Sequence, residues 1–528
     1  MRVAADRRRR QKWLALAAPL LFAAYPALQI TAHNIEHVGP PAALRPLIIS
    51  LALALILFFG ARLLGWEQVR ASLGAVLVVI VVLSYGHLYQ ALKAAHPLLA
   101  SLVRHRFLLP LVLLLLAAGL WGLARLRRAP ESAVAILVLA AGTALIQPLL
   151  VLAANGWSSL QPAPRPFADE LACHQLDSRD RPDIYLIVLD AYERNDVLLQ
   201  AHGYDNGPFL SELESLGFTV GYGSLSNYRY TAPSIASMLN MAYVQDFPEP
   251  AHSSWTALSR TLRHPRIRSE LECLGYQVIA FDSGIEWTIW PDADRYVSQD
   301  PTWLHRSGIL GPISRVDGIL LERSLLLAGL DGLQTAGGGS LPAWLDPTQE
   351  HVSRIHFTLA QLGAIAEGPS PKFVYAHLIS PHPPMVLGQP QAQAGTAAFE
   401  RAFAGEPGEA LGEYAAQVDY LNGLVLDALR QIVADSAESP IIILTGDHGW
   451  SDRSPEQKLS ILHAYRLPGP GAAAFYPTIT PVNAFRLVLS AYFGADLELL
   501  PDRSFYSEGR DLLNFEPVEN TWRTGQGE

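Results

Sequence analysis

Two carboxylates and one imidazole in this sequence directly follow apolar runs that predict buried strands. Asp447 and His448 come after the run at residues 440–444. Asp190 comes after a similar run at residues 183–189. Because the carboxyl ends of parallel strands meet at one edge of a sheet, these side chains are expected to lie together. Carboxylate oxygens and an imidazole nitrogen suit a divalent ion such as Zn²⁺ or Mn²⁺, and the alternative is a turn that only ends a strand.

A threonine stands where a helix is expected to begin. Residues 227–234 precede an apolar pattern of helical spacing, and Pro233 suits the first turn of a helix. The pattern predicts Thr231 as the N-cap, whose hydroxyl accepts a hydrogen bond from its own first turn. The functional alternative is a nucleophile, since a helix N-terminus and a nearby metal would both stabilise an alkoxide or an anionic ester.

Asp190, Thr231 and the pair Asp447 and His448 occur in an order and strand context that resembles a known superfamily. They resemble the alkaline phosphatase superfamily, in its sulfatase-like branch, which contains lipoteichoic acid synthases and lipid A phosphoethanolamine transferases. The resemblance covers residues 181 to about 471. It implies an α/β fold with a mixed, mostly parallel sheet sandwiched by helices.

The same resemblance implies roles for the residues that carry it. Thr231 would be the nucleophile, and one divalent ion, Zn or Mn, would be held by Asp190, Thr231, Asp447 and His448. The implied activity is transfer of a phospho-alcohol group from a lipid head-group donor to an envelope glycan or lipid acceptor. The second interpretation is a membrane-bound hydrolase or phosphoesterase with water as acceptor, and the third is an inactive envelope scaffold.

One difference separates this chain from sulfatases that oxidise a Cys or Ser in a Cys/Ser-x-Pro-x-Arg pattern. The matching stretch here, residues 231–235, reads Thr-Ala-Pro-Ser-Ile. It lacks both the convertible residue and the arginine. A threonine beside a metal suits formation of a phosphate ester instead.

Three further histidines have different expected roles. His382 lies in the proline-rich loop 380–384, and resembling transferases carry a histidine in a comparable loop, so His382 is expected to contact the donor or the leaving group. His463 follows Asp447 at a distance that could supply a ligand to a second metal ion or a substrate contact. His377 falls inside a predicted strand, where core packing with a hydrogen-bonded ring is expected.

Five apolar segments occupy the first 154 residues, each near the roughly twenty residues needed to cross a bilayer. They are residues 13–32, 46–64, 72–92, 107–124 and 132–154. They predict a bundle of transmembrane helices, because helices buried in a soluble bundle would carry more charge. Residues 155–181 predict an extended connector with three prolines, and residues 182–528 predict the catalytic domain, with a small lobe at 292–345.

Basic residues predict the orientation of these segments. Eleven lie in the N-terminal, second and fourth connecting segments, against four in the others, so the N-terminus is expected in the cytoplasm and the catalytic domain outside the inner (plasma) membrane. Up to Leu160 the chain has 15 basic and 4 acidic residues, and the remainder has 24 and 45. The bilayer is therefore an expected partner, and nucleic acid is not.

The sequence contains only two cysteines, Cys173 and Cys273. In an oxidising outer compartment they could pair and tie the connector to the catalytic domain. The alternative is two unrelated buried thiols.

Overall fold

The computed structural model describes residues 2–35, 38, 40–95, 103–126, 129–160, 167, 181–299, 315–329, 347–388, 411–451, 454–508 and 512–523. By packing, the chain divides into two compact units. The first consists of Met1–Gln161 and Thr302–Pro347, and the second of Pro162–Pro301 and Thr348–Glu528. The predicted domain boundaries at 154 and 181 stay a prediction, and most of the predicted small lobe groups with the first unit.

The described residues of the chain form both helices and strands, and the strands all lie in the second unit. The helices of the chain are α1 (Arg2–His33), α2 (Leu44–Leu63), α3 (Gln68–Ala95), α4 (His105–Arg125), α5 (Glu131–Leu160), α6 (Asn195–His202), α7 (Gly207–Ser215), α8 (Thr231–Asn240), α9 (Trp255–Thr261), α10 (Arg266–Cys273), α11 (Arg315–Arg323), α12 (Pro347–Ala364), α13 (Leu411–Asp435), α14 (Pro455–Leu459) and α15 (Ala484–Phe493). The strands are β1 (Ile184–Leu189), β2 (Thr219–Val220), β3 (Gln277–Phe281), β4 (Arg295–Val297), β5 (Lys372–Leu378), β6 (Ile441–Gly446), β7 (His463–Arg466), β8 (Ser504–Tyr506) and β9 (Glu516–Val518).

Among the described residues of the first unit, five helices, α1 to α5, are long and apolar enough to cross a membrane, which makes this a membrane protein. Small residues lie where these helices meet: Ala15 of α1 is buried with Ala71 and Ala75 of α3. Small side chains let helix backbones approach closely, as is usual between helices in a bilayer. Helix α11 belongs to the same unit, because its Val316 and Leu320 pack against Ile30 of α1.

The second unit is built on a seven-stranded sheet in the order β2-β7-β6-β1-β5-β3-β4. Strands β6, β1, β5, β3 and β4 are parallel, and β7 runs antiparallel to both of its neighbours. A separate hairpin joins β8 and β9. The predicted strands before Asp190 and Asp447 are confirmed as β1 and β6, at the centre of the sheet.

Both faces of the sheet are covered by helices. In β1, Ile184, Leu186 and Val188 pack into one hydrophobic core with α8, α10 and α15. The alternate residues Tyr185, Ile187 and Leu189 pack into a second core with α6, α12 and α13. A strand buried on both faces has no polar alternation, which explains the continuous apolar run in its sequence. The predicted mostly parallel sheet sandwiched by helices is confirmed.

Cys273, the last residue of α10, forms a disulfide. Cys173 is the only other cysteine of the sequence, and it lies outside the described residues.

Candidate active site

Strand register brings the two predicted carboxylates together. Leu189 of β1 pairs with Gly446 of β6, so Asp190 and Asp447 leave the sheet side by side at its carboxyl edge. Gly446 is required there, since an added Cβ would lie 2.5 Å from the carbonyl oxygen of Tyr192. The backbone N–H of Ala191 donates to Asp447 Oδ1 at 2.9 Å, which fastens the two loops to each other.

Asp190, Asp447 and His448 form a buried group whose ligand atoms lie within 4.8 Å of one another. His448 Nε2 is 3.6 Å from Asp190 Oδ1 and 3.7 Å from Asp447 Oδ2. Both of these carboxylate oxygens are buried without a hydrogen-bond partner among the described residues. A tetrahedral zinc site places its ligand atoms about 3.3 Å apart. The unpaired oxygens and their spacing therefore fit a divalent metal ion.

The other atoms of these ligands are held by the backbone. Asp447 Oδ1 accepts from the backbone N–H of both Ala191 and His448 at 2.9 Å. His448 Nδ1–H donates to the carbonyl oxygen of Gly449 at 2.9 Å. The acceptor fixes the tautomer, because a carbonyl cannot donate, so Nε2 of the neutral ring offers its lone pair to the group.

Thr231 lies beside this group with its hydroxyl turned toward it. Oγ1 is 3.2 Å from His448 Nε2, to which it can donate. The predicted N-cap is wrong by one residue: Tyr230 is the cap, and Thr231 is the first residue of α8. The Thr231 hydroxyl therefore does not serve the helix backbone, and it faces the candidate metal group at a helix N-terminus, where negative charge is favoured.

Ser226 connects α8, the helix of Thr231, to the loop that carries Asp447 and His448, here called the metal loop. Its Oγ contacts the carbonyl oxygen of Asp447 and lies 2.8 Å from Ser234 Oγ on α8. All three residues are buried. The position of Thr231 relative to His448 is thus set by side chains as well as by the backbone.

Charges around the site favour ionised Asp190. Burial alone would raise the pKa of this carboxyl, but the imidazoles of His382 and His377 oppose burial and help to hold the pKa well below its usual range. Burial lowers the pKa of His448 despite the opposing effect of Asp447. An ionised carboxylate beside a neutral imidazole is the protonation state that a metal ion needs.

His382 lies on the same side of the sheet. Its ring centroid is 6.5 Å from that of His448 and 6.2 Å from the nearest ring of Trp450. Its Nδ1–H donates to the carbonyl oxygen of Pro383 at 2.7 Å, and its backbone N–H donates to the backbone carbonyl oxygen of Asp190 at 2.9 Å. The structure therefore brings His382, which is half-buried, to the site where the sequence analysis expects it.

His463 is not brought to this group, contrary to its prediction as a second metal ligand or a substrate contact. It is fully buried on β7. Its Nδ1 lies 2.7 Å from Thr445 Oγ1, and the Tyr465 hydroxyl lies 2.6 Å from its Nε2. Burial lowers the pKa of His463 to about 3. Both ring nitrogens are therefore used inside the sheet, and neither can bind a second ion.

His377 lies next to the candidate ligand Asp190, which the sequence does not indicate. The expected core packing is found, since His377 is buried, although neither ring nitrogen has a hydrogen bond of ordinary geometry among the described residues. Nε2 instead lies 3.5 Å from Asp190 Oδ2. The register of β5 with β1, which pairs His377 with Val188, explains this contact and is a signal that the sequence alone does not carry.

A further histidine, His351 on α12, was not singled out by the sequence. It is buried, and its Nε2 has no hydrogen-bond partner among the described residues. Burial first, and then the charges of Arg354 and His382, lower the pKa of His351 to about 3, against the opposing effect of Asp190. The sequence gives no signal for this burial, because a histidine within an amphipathic helix can lie on either face.

Solved structures with a similar chain path come from several organisms. The C-terminal periplasmic domain of EcEptC from Escherichia coli, in complex with Zn, is 12% identical with a TM-score of 0.42, covering 67% of this chain and 96% of that one. The integral membrane protein lipooligosaccharide phosphoethanolamine transferase A (EptA) from Neisseria meningitidis is 13% identical with a TM-score of 0.39, covering 91% and 94%. The putative sulfatase yidJ from Bacteroides fragilis is 15% identical with a TM-score of 0.35, covering 60% and 75%.

No curated protein matches the chain. The family model described as Sulfatase matches residues 182–468, which is more than half of the chain and contains every residue of the candidate site. The resemblance that the sequence shows to the sulfatase-like branch of the alkaline phosphatase superfamily is confirmed. The chain therefore belongs to the Sulfatase family, as a sulfatase-like enzyme joined to membrane helices.

Proposed function

We propose that this enzyme transfers a phospho-alcohol head group from a lipid donor to a glycan or lipid of the cell envelope, by way of an ester on Thr231. The observation that carries the proposal is the Thr231 hydroxyl, which lies 3.2 Å from His448 Nε2 and does not cap its own helix. Five membrane-length helices in the same chain support a donor that resides in the bilayer.

In this proposal Asp190, Asp447, His448 and Thr231 would hold one divalent ion, Zn or Mn. Such an ion would lower the pKa of the Thr231 hydroxyl and offset negative charge on the phosphoryl oxygens. The fit rests on the two buried carboxylate oxygens that have no partner among the described residues. The proposal uses a single ion, and His463 is not one of its ligands, because both of its ring nitrogens contact side chains of the sheet.

The proposed reaction has two displacements. In the first, Thr231 Oγ1 bonds to phosphorus, the bond from phosphorus to the lipid alcohol oxygen breaks, and the threonine proton passes to solvent. The lipid alcohol leaves after taking up a proton, for which His382 is the proposed donor. In the second, a hydroxyl of the envelope acceptor attacks the same phosphorus and loses its proton to solvent, and Thr231 regains a proton as it leaves.

The membrane part would deliver the donor. With the N-terminus in the cytoplasm, five crossings place the catalytic unit outside the inner membrane, where envelope acceptors are found. A donor confined to a bilayer reaches a tethered enzyme by diffusion in two dimensions.

The covalent ester on Thr231 gives the decisive experiment. The full-length protein in detergent is mixed with a phospholipid that has a labelled head group, and the peptide containing Thr231 is analysed by mass spectrometry. We expect an added phospho-alcohol on Thr231, no turnover in Thr231→Ala, and partial turnover in Thr231→Ser, because the attacking oxygen is kept. An unmodified peptide together with full activity of Thr231→Ala would contradict the proposal.

The same experiment separates transfer from hydrolysis. If the labelled head group is released as a water-soluble product at the same rate with and without an added envelope acceptor, the enzyme is the hydrolase of the second interpretation. If neither product forms and the wild type binds no metal, the inactive scaffold is the better account.

A further inference from the structure

Glu193 is a buried carboxylate that the proposed reaction does not use. It follows Asp190 by three residues, and its side chain is fully buried. A carboxylate removed from water is stable only when hydrogen bonds and charged partners replace the lost hydration. The partners of Glu193 therefore show which parts of the chain it serves.

Both oxygens of Glu193 are engaged, and one of them binds the metal loop. Oε1 accepts from the backbone N–H of Trp450 at 3.0 Å and from that of Ser451. These two residues directly follow Asp447, His448 and Gly449. One carboxylate, attached to the loop that carries Asp190, thus holds the loop that carries the other two candidate ligands.

The second oxygen is held from the opposite side by His202, the last residue of α6. His202 Nε2 lies 2.8 Å from Glu193 Oε2 and 3.1 Å from Ser451 Oγ. The His202 ring also packs on Tyr414, at 4.6 Å between centroids. The Tyr414 hydroxyl donates to the carbonyl oxygen of Ala191 at 2.7 Å, so the loop after Asp190 is fixed at two points.

We propose that Glu193 is a positioning residue, which keeps Asp447 and His448 at the distances from Asp190 that a divalent ion requires, and that His202 orients Glu193. Glu193 touches neither the ion nor the substrate in this arrangement. The proposal rests on the metal centre proposed above, and it adds a residue outside the ligand set on which the affinity of that centre depends.

The test compares Glu193→Ala with Glu193→Gln in the full-length protein in detergent. Three quantities are measured: the zinc dissociation constant by competition with a chelator, the Tm of the metal-free protein, and kcat and KM for the lipid donor. Loss of a side chain that orients metal ligands typically weakens metal affinity by about 10- to 100-fold. We expect that loss in Glu193→Ala, together with a lower kcat and a smaller change in KM.

Glu193→Gln should recover most of the zinc affinity, because its amide oxygen can still accept from Trp450 and Ser451. If Glu193→Ala does not fold, His202→Ala carries the test, since it removes a partner of Glu193 Oε2 and leaves Oε1 in place to accept from the backbone N–H groups of Trp450 and Ser451. We expect it to weaken zinc binding by about tenfold.

Asp183 provides a matched control at the other end of β1. It is also a buried carboxylate, with Lys372 Nζ at 2.6 Å and the backbone N–H of Lys372 donating to it at 3.0 Å. Asp183→Asn should lower Tm and leave the zinc dissociation constant unchanged.

Two outcomes would overturn the inference. One is a folded Glu193→Ala protein with the zinc affinity and kcat of the wild type. The other is Asp183→Asn weakening zinc binding as much as Glu193→Ala, which would show a general loss of stability. A third result would separate this inference from the proposed function. If the wild type binds zinc, Glu193→Ala weakens that binding, and the wild type transfers nothing from lipid, this inference stands and the proposed function is refuted.

Discussion

At the scale of single residues, the site is defined by atoms that have nothing else to bind. Asp190 Oδ1 and Asp447 Oδ2 are buried without partners among the described residues, whereas Asp447 Oδ1 accepts two backbone hydrogen bonds. A buried carboxylate oxygen left unpaired is costly. Binding of a cation would remove that cost, which is why these two oxygens point to a metal ion more strongly than residue types alone.

Removal of two ligands should empty the site. We expect the wild-type protein to hold about one zinc or manganese ion per chain, and the double variant Asp447→Ala, His448→Ala to hold almost none, because only Asp190 and Thr231 would remain as ligands. Elemental analysis of the purified protein measures this. His252→Ala, which removes an imidazole from an exposed pair with Glu249, is the control and should keep its metal. Equal metal content in the double variant would refute the ligand assignment.

The dependence of metal binding on pH follows from the shifted pKa values. His448 must be neutral to bind, and burial lowers its pKa below the ordinary 6.5, so protons compete with the metal only at lower pH. The pKa of Asp190 is also held low, and its carboxylate stays ionised over the same range. We expect the zinc dissociation constant to be nearly constant from pH 8 to about pH 6.5 and to rise below that. A tenfold rise per pH unit that begins above pH 7 would contradict this expectation.

At the scale of elements, close contact between strand ends positions the ligands. Gly446→Ala would place a Cβ 2.5 Å from the Tyr192 carbonyl oxygen, so the loop after β1 or the end of β6 must move. We expect a loss of about 1–3 kcal/mol in the free energy of unfolding and weaker zinc binding. Urea denaturation of the metal-free protein and chelator competition measure the two effects.

Gly423→Ala on α13 is the matched control for this substitution, since nothing lies within 4 Å of its added Cβ. It should raise stability by about 0.5–1 kcal/mol, because alanine loses less backbone freedom than glycine on folding. If both variants behave alike, the tight contact at Gly446 does not position the site.

Sequence patterns predict the elements of this site better than the contacts between them. The apolar runs before Asp190 and Asp447 are local signals, and they are confirmed as β1 and β6. The role of Glu193 could not be predicted, because Trp450 and Ser451 are 257 and 258 residues away along the chain. The engagement of His463 by Thr445 is a different case, because it depends on the antiparallel register of β6 and β7 and not on a large separation along the chain. Apolar runs indicate where strands lie, but they do not show which side chains of two paired strands come into contact.

At the scale of the whole molecule, the asymmetry of basic residues predicts which compartment each segment faces. Reporter fusions after Arg128 and after Trp157 are expected to report opposite compartments, with the first in the cytoplasm and the second outside, because one apolar helix, α5, lies between them. Each position is fused in turn to a reporter that is active only in the cytoplasm and to one that is active only outside, and the two activities are compared. Equal cytoplasmic activity at both sites would rule out this topology.

The grouping of residues 302–347 with the membrane helices has a consequence for the order of synthesis. Helices α1 to α3 are made first, yet Val316 and Leu320, which cover Ile30, leave the ribosome nearly three hundred residues later. In the interval the ribosome synthesises β1, Thr231 and β3, which belong to the second unit. The C-terminal end of α1 therefore stays partly uncovered until this later segment is made. A ribosome that pauses before residue 316 would prolong the interval in which this surface is open to chaperones or proteases.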